Sequence, residues 1–409
     1  MNAESFFLPI WYFVQGLIGW QLIWPFIMFL LWGITLRQKK RSQPTKNSVA
    51  KGDYAIIVTA YQHTETLNDA VASLCQLNHN QFLIYVVADN CDTSSLVFED
   101  NRVVLLKPET VLASNTKSHF YAIRNFRRQH DRLTIIDCDN MVDPEYLNEL
   151  DNVFAEGFEA VQGMRKAKNL NTEYACLDAA RDAYYHFYDG KLLYELGSSA
   201  SLAGSGMAFS VALYRECLSE LDITGAGFDK VLQYEIVKRN QRIAYTDRAI
   251  VYDEKTAYTD QLVKQRARWI NTWFRYFKLA YCLLLKGVTH RSMNQLLFGA
   301  MLVRPPLFIM LILAIFFALS NIVMANLTIT VAWLIGLVIF VMGFFIALHF
   351  AKPDKRVYKA IRAVPKFVFF QMISLLKSKK ANRLSVATKH YHYRKTGKEE
   401  IEEVTTDNN

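Results

Sequence analysis

The chain has 409 residues, of which 52% are apolar, and a formal net charge of +9. That length holds one large domain or two smaller ones. The excess of 47 Lys and Arg over 38 Asp and Glu sits largely beside apolar segments, where anionic lipid headgroups are a better partner than nucleic acid. Cysteines 75, 91, 138, 176, 217 and 282 form no Cys-x-x-Cys pair, which argues against a structural zinc site or a disulfide framework.

From Met1 to Leu36 there is no Lys or Arg and a single acid, Glu4. Phe6–Leu36 is nearly all apolar and aromatic, and it stops at Arg37-Gln-Lys-Lys-Arg41. A bilayer takes about 20 apolar residues to cross. With no basic start, too long an apolar run and no small-residue cleavage site, the segment reads as a retained anchor over 1–37 rather than a signal peptide.

Linker chemistry at Ser42–Asp53 gives way to alternating strand and helix patterns. Ala55–Val58, Phe82–Asp89, Val103–Leu106 and Leu133–Asp137 read as buried strands, and Leu67–Leu77 and Tyr121–Arg128 as helices. Strands and helices alternating at this spacing predict a mostly parallel sheet with helices on both faces, an α/β domain over 50–285. In such sheets ligands gather outside the carboxyl ends of the strands. The fourth strand ends in Asp137-Cys138-Asp139. Mg²⁺ or Mn²⁺ is usually held by one or two carboxylates, with substrate phosphates completing its shell. The pair Asp137 and Asp139 is therefore a place to hold a metal–diphosphate. Thr59-Ala-Tyr-Gln and Asp89 fall at strand ends on the same edge.

The second apolar block contains two spans, Pro305–Met324 and Thr328–Phe350, joined by Ala325-Asn326-Leu327. Gln295–Val303 is cut off by Arg304-Pro305-Pro306 and reads as interfacial. Segment 286–352 thus combines an interfacial piece with two spans. The basic tail 353–409 follows, and from Lys352 onward there are fourteen Lys and Arg against six acids. The positive-inside rule puts that tail, Arg37–Arg41 and the middle region in the cytoplasm, so an integral inner-membrane protein with a cytoplasmic domain is expected. Trp269, Trp273 and Phe277 form a stripe interleaved with basic residues, the pattern of a helix lying in a membrane interface. Tyr184–Tyr188 reads as core or interfacial packing.

Further motifs bring a family into view. Thr59-Ala60-Tyr61-Gln62-His63-Thr64-Glu65 resembles the first nucleotide loop of family 2 glycosyltransferases, and Val87-Ala88-Asp89-Asn90-Cys91-Asp92 resembles their second. Lys117 sits where the family has a Lys-rich turn opening a helix. Asp137-Cys-Asp139 matches the metal motif, Gly204-Ser205-Gly206-Met207 resembles the acceptor loop, and Gly227-Phe228-Asp229-Lys230 resembles the base segment. Gln265-Arg-Ala-Arg268-Trp269 is similar to the Gln-x-x-Arg-Trp motif of the membrane-bound members, such as cellulose, chitin and hyaluronan synthases. The chain departs from the family in lacking the Pro and Asn of the first loop and the acid that precedes the base.

The resemblance implies a GT-A-like nucleotide-binding domain flanked by transmembrane helices. It implies a nucleotide site at Ala60, Tyr61, Glu65, Asp89, Lys117 and Asp137, and a Mg²⁺ or Mn²⁺ site at Asp137 and Asp139. It also implies an acceptor and diphosphate site at Gly204, Ser205, Gly206, Gln265, Arg268 and Trp269. Asp229 is the expected base, with Glu235 on the same helix as its alternative. The implied activity is inverting transfer from a UDP-sugar of glucose or N-acetylglucosamine type to a growing polysaccharide or oligosaccharide. A lipid acceptor of ceramide or diacylglycerol type is the alternative, and a non-catalytic exporter component is a distant third. Three spans are few to line a polysaccharide channel, so an exported polymer calls for a homo-oligomer or an export partner.

Overall fold

The computed structural model describes residues 3–39 and 51–380, apart from 95 and 224. The linker 40–50, the end of the basic run at Arg41 and the tail beyond 380 lie outside the described residues.

Eight strands among the described residues build one sheet: β1 (Tyr54–Tyr61), β2 (Phe82–Asp89), β3 (Val103–Leu106), β4 (Arg132–Asp137), β5 (Met141–Val142), β6 (Ala160–Ala167), β7 (Met207–Ser210) and β8 (Ile243–Asp253). Their order is β3-β2-β1-β4-β7-β6-β8-β5. β1 runs parallel to both β2 and β4, and this register sets Tyr61 opposite Asp89 and Thr59 opposite Asp137. The strand-end groups therefore share one edge, as expected. β7 enters antiparallel between β4 and β6, so the sheet is mixed around a parallel core. Ala55 and Ile57 belong to one buried cluster, Tyr54, Ile56 and Val58 to another. That alternation means both faces of β1 are covered, the ordinary condition of parallel sheet.

Among the helices around the sheet are α2 (Leu67–Cys75), α3 (Asn115–Arg124), α4 (Tyr146–Phe154), α5 (Glu173–Tyr185), α6 (Leu193–Glu195), α7 (Val211–Leu218) and α8 (Phe228–Lys238), with a π-helical turn, His186–Leu192, between α5 and α6. α3 starts six residues before the expected Tyr121, because the Ser114 hydroxyl accepts the Lys117 N–H at 3.4 Å and caps it. α1 (Ala3–Lys39) is not an isolated tether. Its Met28 and Trp32 join the core beside Phe187, and the Trp32 indole N–H donates to the Glu195 carboxylate.

After the sheet come α9 (Thr259–Tyr276), α10 (Leu279–Thr289), α11 (Met293–Val303), α12 (Leu307–Val323), α13 (Leu327–Ala351), α14 (Lys355–Ala360) and α15 (Val364–Lys377). Leu8–Thr35 and Leu327–Ala351 are each long and apolar enough to cross a membrane. α11 and α12 meet at a 68° bend and add a third span only if the pair counts as one. Pro305 and Pro306 explain the bend, since proline breaks the helical hydrogen-bond ladder. α12 alone, at 1.5 Å per residue, reaches about 26 Å, short of the ~30 Å hydrocarbon core. α14 and α15 lie within the stretch that charge alone marks as basic tail. The net charge of 353–409 masks the apolar run Phe367–Ile373, whose Phe367 is buried.

Candidate active site

A cavity of about 820 Å³ opens at the carboxyl ends of β1 and β4. It collects Thr59, Tyr61 and Glu65 from the β1 loop, Asp137 and Asp139 from the β4 end, Gly204 from the β7 approach, Asp229 from α8, and Arg268 and Trp269 from α9. Residues separated by more than 200 positions thus face one space.

The Asp137–Asn140 turn is held from two sides. The Ser205 hydroxyl accepts the Asp137 N–H at 3.1 Å and the Asn140 side-chain amide at 2.8 Å. The Thr66 hydroxyl donates to the Cys138 carbonyl at 3.0 Å. Ser205 is fully buried beneath the turn, so it supports the carboxylates from below instead of lining the cavity. Gly206 carries φ +68°, which brings its N–H onto the Ile135 carbonyl at 2.9 Å.

The loop 201–206 is tied down by side chains that, Lys230 apart, no sequence motif marks. The Gln162 amide donates to the Ser205 carbonyl at 3.1 Å and its oxygen accepts the Ala203 N–H at 2.9 Å. Arg165 donates to the Ala203 carbonyl at 2.7 Å. Gln233 accepts the Leu202 N–H at 3.0 Å, and Lys230 donates to the Leu202 carbonyl at 3.0 Å. Lys230 also lies 3.3 Å from the Asp229 carboxylate. α8 begins at Gly227, whose φ of +103° only glycine adopts without strain. Glu235, two turns further along, is outside the cavity wall and pairs with Arg239 at 2.5 Å and Lys238 at 3.3 Å.

Other expected site residues take supporting positions. Asp89 is buried, and its two oxygens accept the Leu112 and Ala113 N–H groups at 2.9 and 2.8 Å, fixing the loop that leads into α3. Ala60 is buried within β1. Lys117 is half-exposed and lies 3.6 Å from Asp222 rather than on the cavity wall. Gln265 accepts the Thr256 hydroxyl at 2.9 Å, bracing α9 against the end of β8. Hydrogen bonding to its own backbone N–H, with His63 beside it, holds the Glu65 carboxyl below the usual range.

A buried charge cluster, of which Arg181, Asp182 and Arg266 line the cavity, extends from its wall into the protein. Arg266 pairs with Asp178, Lys255 with Asp182 and Asp253, and Arg181 with Asp178 and Asp182. Arg266 and Arg181 stand 4.0 and 4.4 Å from the Trp269 ring, a stacked arrangement that suits guanidinium. Burial pushes the Arg266 guanidinium down to about 10 and lowers that of Arg268. At about 10, Arg266 stays cationic at neutral pH. The one sequence signal for this cluster is Asp178, Arg181 and Asp182 at helical spacing in an otherwise apolar run.

α9 differs from the expected interfacial helix. Trp273 and Phe277 stack at 5.2 Å and line the cavity, and the Trp273 indole N–H donates to the Arg304 carbonyl at 3.0 Å. The exposed face instead carries Lys264, Phe274 and Arg275. Tyr184 and Tyr188 are core, as expected, while Tyr185 and His186 reach the cavity.

The curled, mostly parallel α/β sheet is that of a glycosyltransferase of GT-A-like fold. The family description "Glycosyltransferase like family 2" matches residues 51–272, and the chain belongs to that family. No curated protein matches the chain. Among solved structures, the mannosyltransferase PcManGT from Pyrobaculum calidifontis, in complex with GDP-Man and Mn²⁺, is similar at 10% identity and TM-score 0.48, covering 88% of this chain and 99% of its own. TarS 1–349 from S. aureus, in complex with UDP-GlcNAc, is similar at 13% identity and TM-score 0.42, covering 81% of this chain and 90% of its own.

Proposed function

We propose that this glycosyltransferase transfers a sugar with inversion from a UDP-sugar of glucose or N-acetylglucosamine type to an acceptor hydroxyl at the cytoplasmic face of the membrane. The observation that carries the reading is the meeting of Asp137, Asp139, Asp229 and Arg268 on one cavity. Asp137 and Asp139 offer only hard oxygen ligands, and no group of three or more His, Cys, Asp or Glu suited to a metal exists among the described residues. Two carboxylates plus substrate phosphates are what Mg²⁺ or Mn²⁺ takes, so the donor set fits such an ion. Bound there, the ion would supply charge neutralisation at the leaving diphosphate.

The chain's own residues do the rest. Asp229 accepts the proton of the acceptor hydroxyl as that oxygen attacks the anomeric carbon. Arg268, fixed on α9, places positive charge where negative charge grows on the diphosphate. Tyr61 and Glu65 flank the nucleotide, and Asp89 holds the neighbouring loop in shape. The two apolar helices α1 and α13 favour an integral membrane protein, and Lys352–Arg356 after α13 favours a cytoplasmic catalytic domain.

The test is a panel of UDP- and GDP-sugars offered to the full chain in detergent with Mn²⁺ or Mg²⁺, read by nucleotide release and mass analysis of the product. Metal-dependent UDP release with one UDP-hexose is the expected result. Turnover of GDP-sugars alone, or of no donor, contradicts the reading.

A further inference from the structure

The π-helical turn His186–Leu192 stands between the apolar helices and the cavity. Its Phe187 stacks on Phe350 of α13 at 4.9 Å and meets Trp32 of α1 edge-on at 5.9 Å. The Tyr188 hydroxyl donates to the Gly343 carbonyl of α13 at 2.9 Å. Asp189 pairs at 2.5 Å with Arg304, which sits at the bend between α11 and α12. Towards the site, the Asp189 carbonyl accepts the Ser201 N–H at 2.8 Å, where the loop 201–206 begins. That loop carries Ser205, whose hydroxyl braces the Asp137–Asn140 turn. Asp189, Ser201 and Arg304 all line the cavity. One turn thus links α1, α13 and the α11–α12 bend to the loop beneath the carboxylates. π-helical turns are frequent at functional sites.

The Asp189–Arg304 pair is a poor source of stability. Each residue is only 5% exposed. Asp189 Oδ1 and Arg304 Nη1 are both buried without a hydrogen-bond partner among the described residues. The Tyr184 and Tyr185 rings lie 5.7 and 5.8 Å from the guanidinium. Taking two charges out of water costs more than an incompletely satisfied pair regains, and apolar residues of similar volume often replace such a pair with no loss of stability. What the pair supplies is direction. Apolar groups pack in several registers, whereas a carboxylate and a guanidinium in a dry setting meet in one. The backbone of Arg304 adds a second tie, because its carbonyl accepts the Trp273 indole N–H of α9 at 3.0 Å.

We propose that Asp189 and Arg304 are positioning residues. Their pair sets the π-helical turn against the α11–α12 bend and, through the Ser201 N–H, fixes the loop 201–206 and the Asp137–Asn140 turn that it supports. Transfer at the sheet edge then depends on how the apolar helices pack. For its effect on rate the inference rests on the glycosyltransferase reading above; for its effect on the loop it does not.

The experiment compares the full chain in nanodiscs with the double variant Asp189→Leu/Arg304→Met, in which apolar side chains of similar volume replace the pair. Three quantities are measured: Tm, amide hydrogen exchange by mass spectrometry, and UDP release from UDP-glucose or UDP-N-acetylglucosamine with Mn²⁺. The expected Tm is unchanged or higher. Exchange should be at least about tenfold faster in peptides covering 201–206 and unchanged in β1 and β2. UDP release should fall by about 10²-fold, the effect of a ~1 Å misplacement. Tyr188→Phe removes only the hydrogen bond to Gly343, and it should speed exchange in the same peptides by about three- to tenfold. Wild-type loop exchange in both variants overturns the proposal. A lower Tm with faster exchange across the whole sheet also overturns it, since the pair would then be holding up the fold rather than aiming the loop. Undiminished UDP release from a double variant whose loop exchanges fast overturns the positioning role. A wild type that releases no UDP counts against the glycosyltransferase reading, and the exchange measurements still decide whether the pair holds the loop.

Discussion

Exchanging single carboxylates for amides at Asp229 and Glu235 separates the proposed base from its neighbour on the same helix. Asp229 lines the cavity, and the Lys230 ammonium lies 3.3 Å from its carboxylate. Asp229→Asn keeps size and shape but cannot accept a proton at neutral pH. Loss of a positioned base typically costs about 10²–10⁴ in rate, which corresponds to roughly 2.7–5.4 kcal/mol of barrier. Glu235 lies outside the cavity, and its partner Arg239 keeps Glu216 at 2.9 Å when Glu235 is neutralised. A partly exposed pair of that kind is worth up to about 1 kcal/mol, so Glu235→Gln should change stability slightly and rate hardly at all. The assay is UDP release beside UDP-sugar affinity for both variants. A dead Glu235→Gln with an active Asp229→Asn, each binding donor normally, would refute the assignment of the base.

Three further perturbations probe the scaffold. Ser205→Ala strands the Asp137 N–H and the Asn140 amide in a buried setting, which should cost about 1–3 kcal/mol. A lower Tm and a raised donor KM, with the fold retained by circular dichroism, are expected. At Gly227 a Cβ would stand 2.6 Å from Tyr276 and 2.7 Å from Thr272. Gly227→Ala should therefore shift α8 and Asp229 and lower kcat by about 10²-fold, the penalty of a 1 Å misplacement. A Gly227→Ala variant with unchanged kcat would show that the close approach of Gly227 to Thr272 and Tyr276 does not position Asp229. His119 is buried against the Tyr214 hydroxyl at 2.7 Å, and burial pushes its pKa down to about 3. The unfolded chain binds this proton near pH 6.5, so the histidine's contribution is fully present above that pH. It is lost by about 1.4 kcal/mol per pH unit on falling toward 3. Denaturant titrations should show that slope in wild type and a shallower one in His119→Gln.

The parallel half of the sheet was legible because its strands are short apolar runs ending in polar groups, and strand ends on one edge must converge. Asp137 and Asp139 stand out as a pair at a strand end, Asp229 was singled out by the family resemblance, and all three line one cavity. What spacing did not reveal are contacts between distant segments. Ser205 reads as a loop residue, but its hydroxyl braces a turn 68 residues away. Gln162, Arg165 and Gln233 sit in no motif, because any strand or helix tolerates them, and only packing aims them at one loop. Trp273 and Phe277 fit a membrane-facing stripe equally well, until the approach of Arg304 turns that face inward. α15 was hidden because tail charge was averaged over segments with different environments.

The proposed sugar transfer turns on a metal held by the carboxylate pair at the end of β4. It is tested most directly by UDP release from the full chain in detergent, measured with Mn²⁺, with excess EDTA, and in Asp139→Ala. Turnover is expected in the first case, none in the second with recovery on adding Mn²⁺ back, and a loss of at least about 10² in the variant. Undiminished UDP release in EDTA or in Asp139→Ala would contradict it.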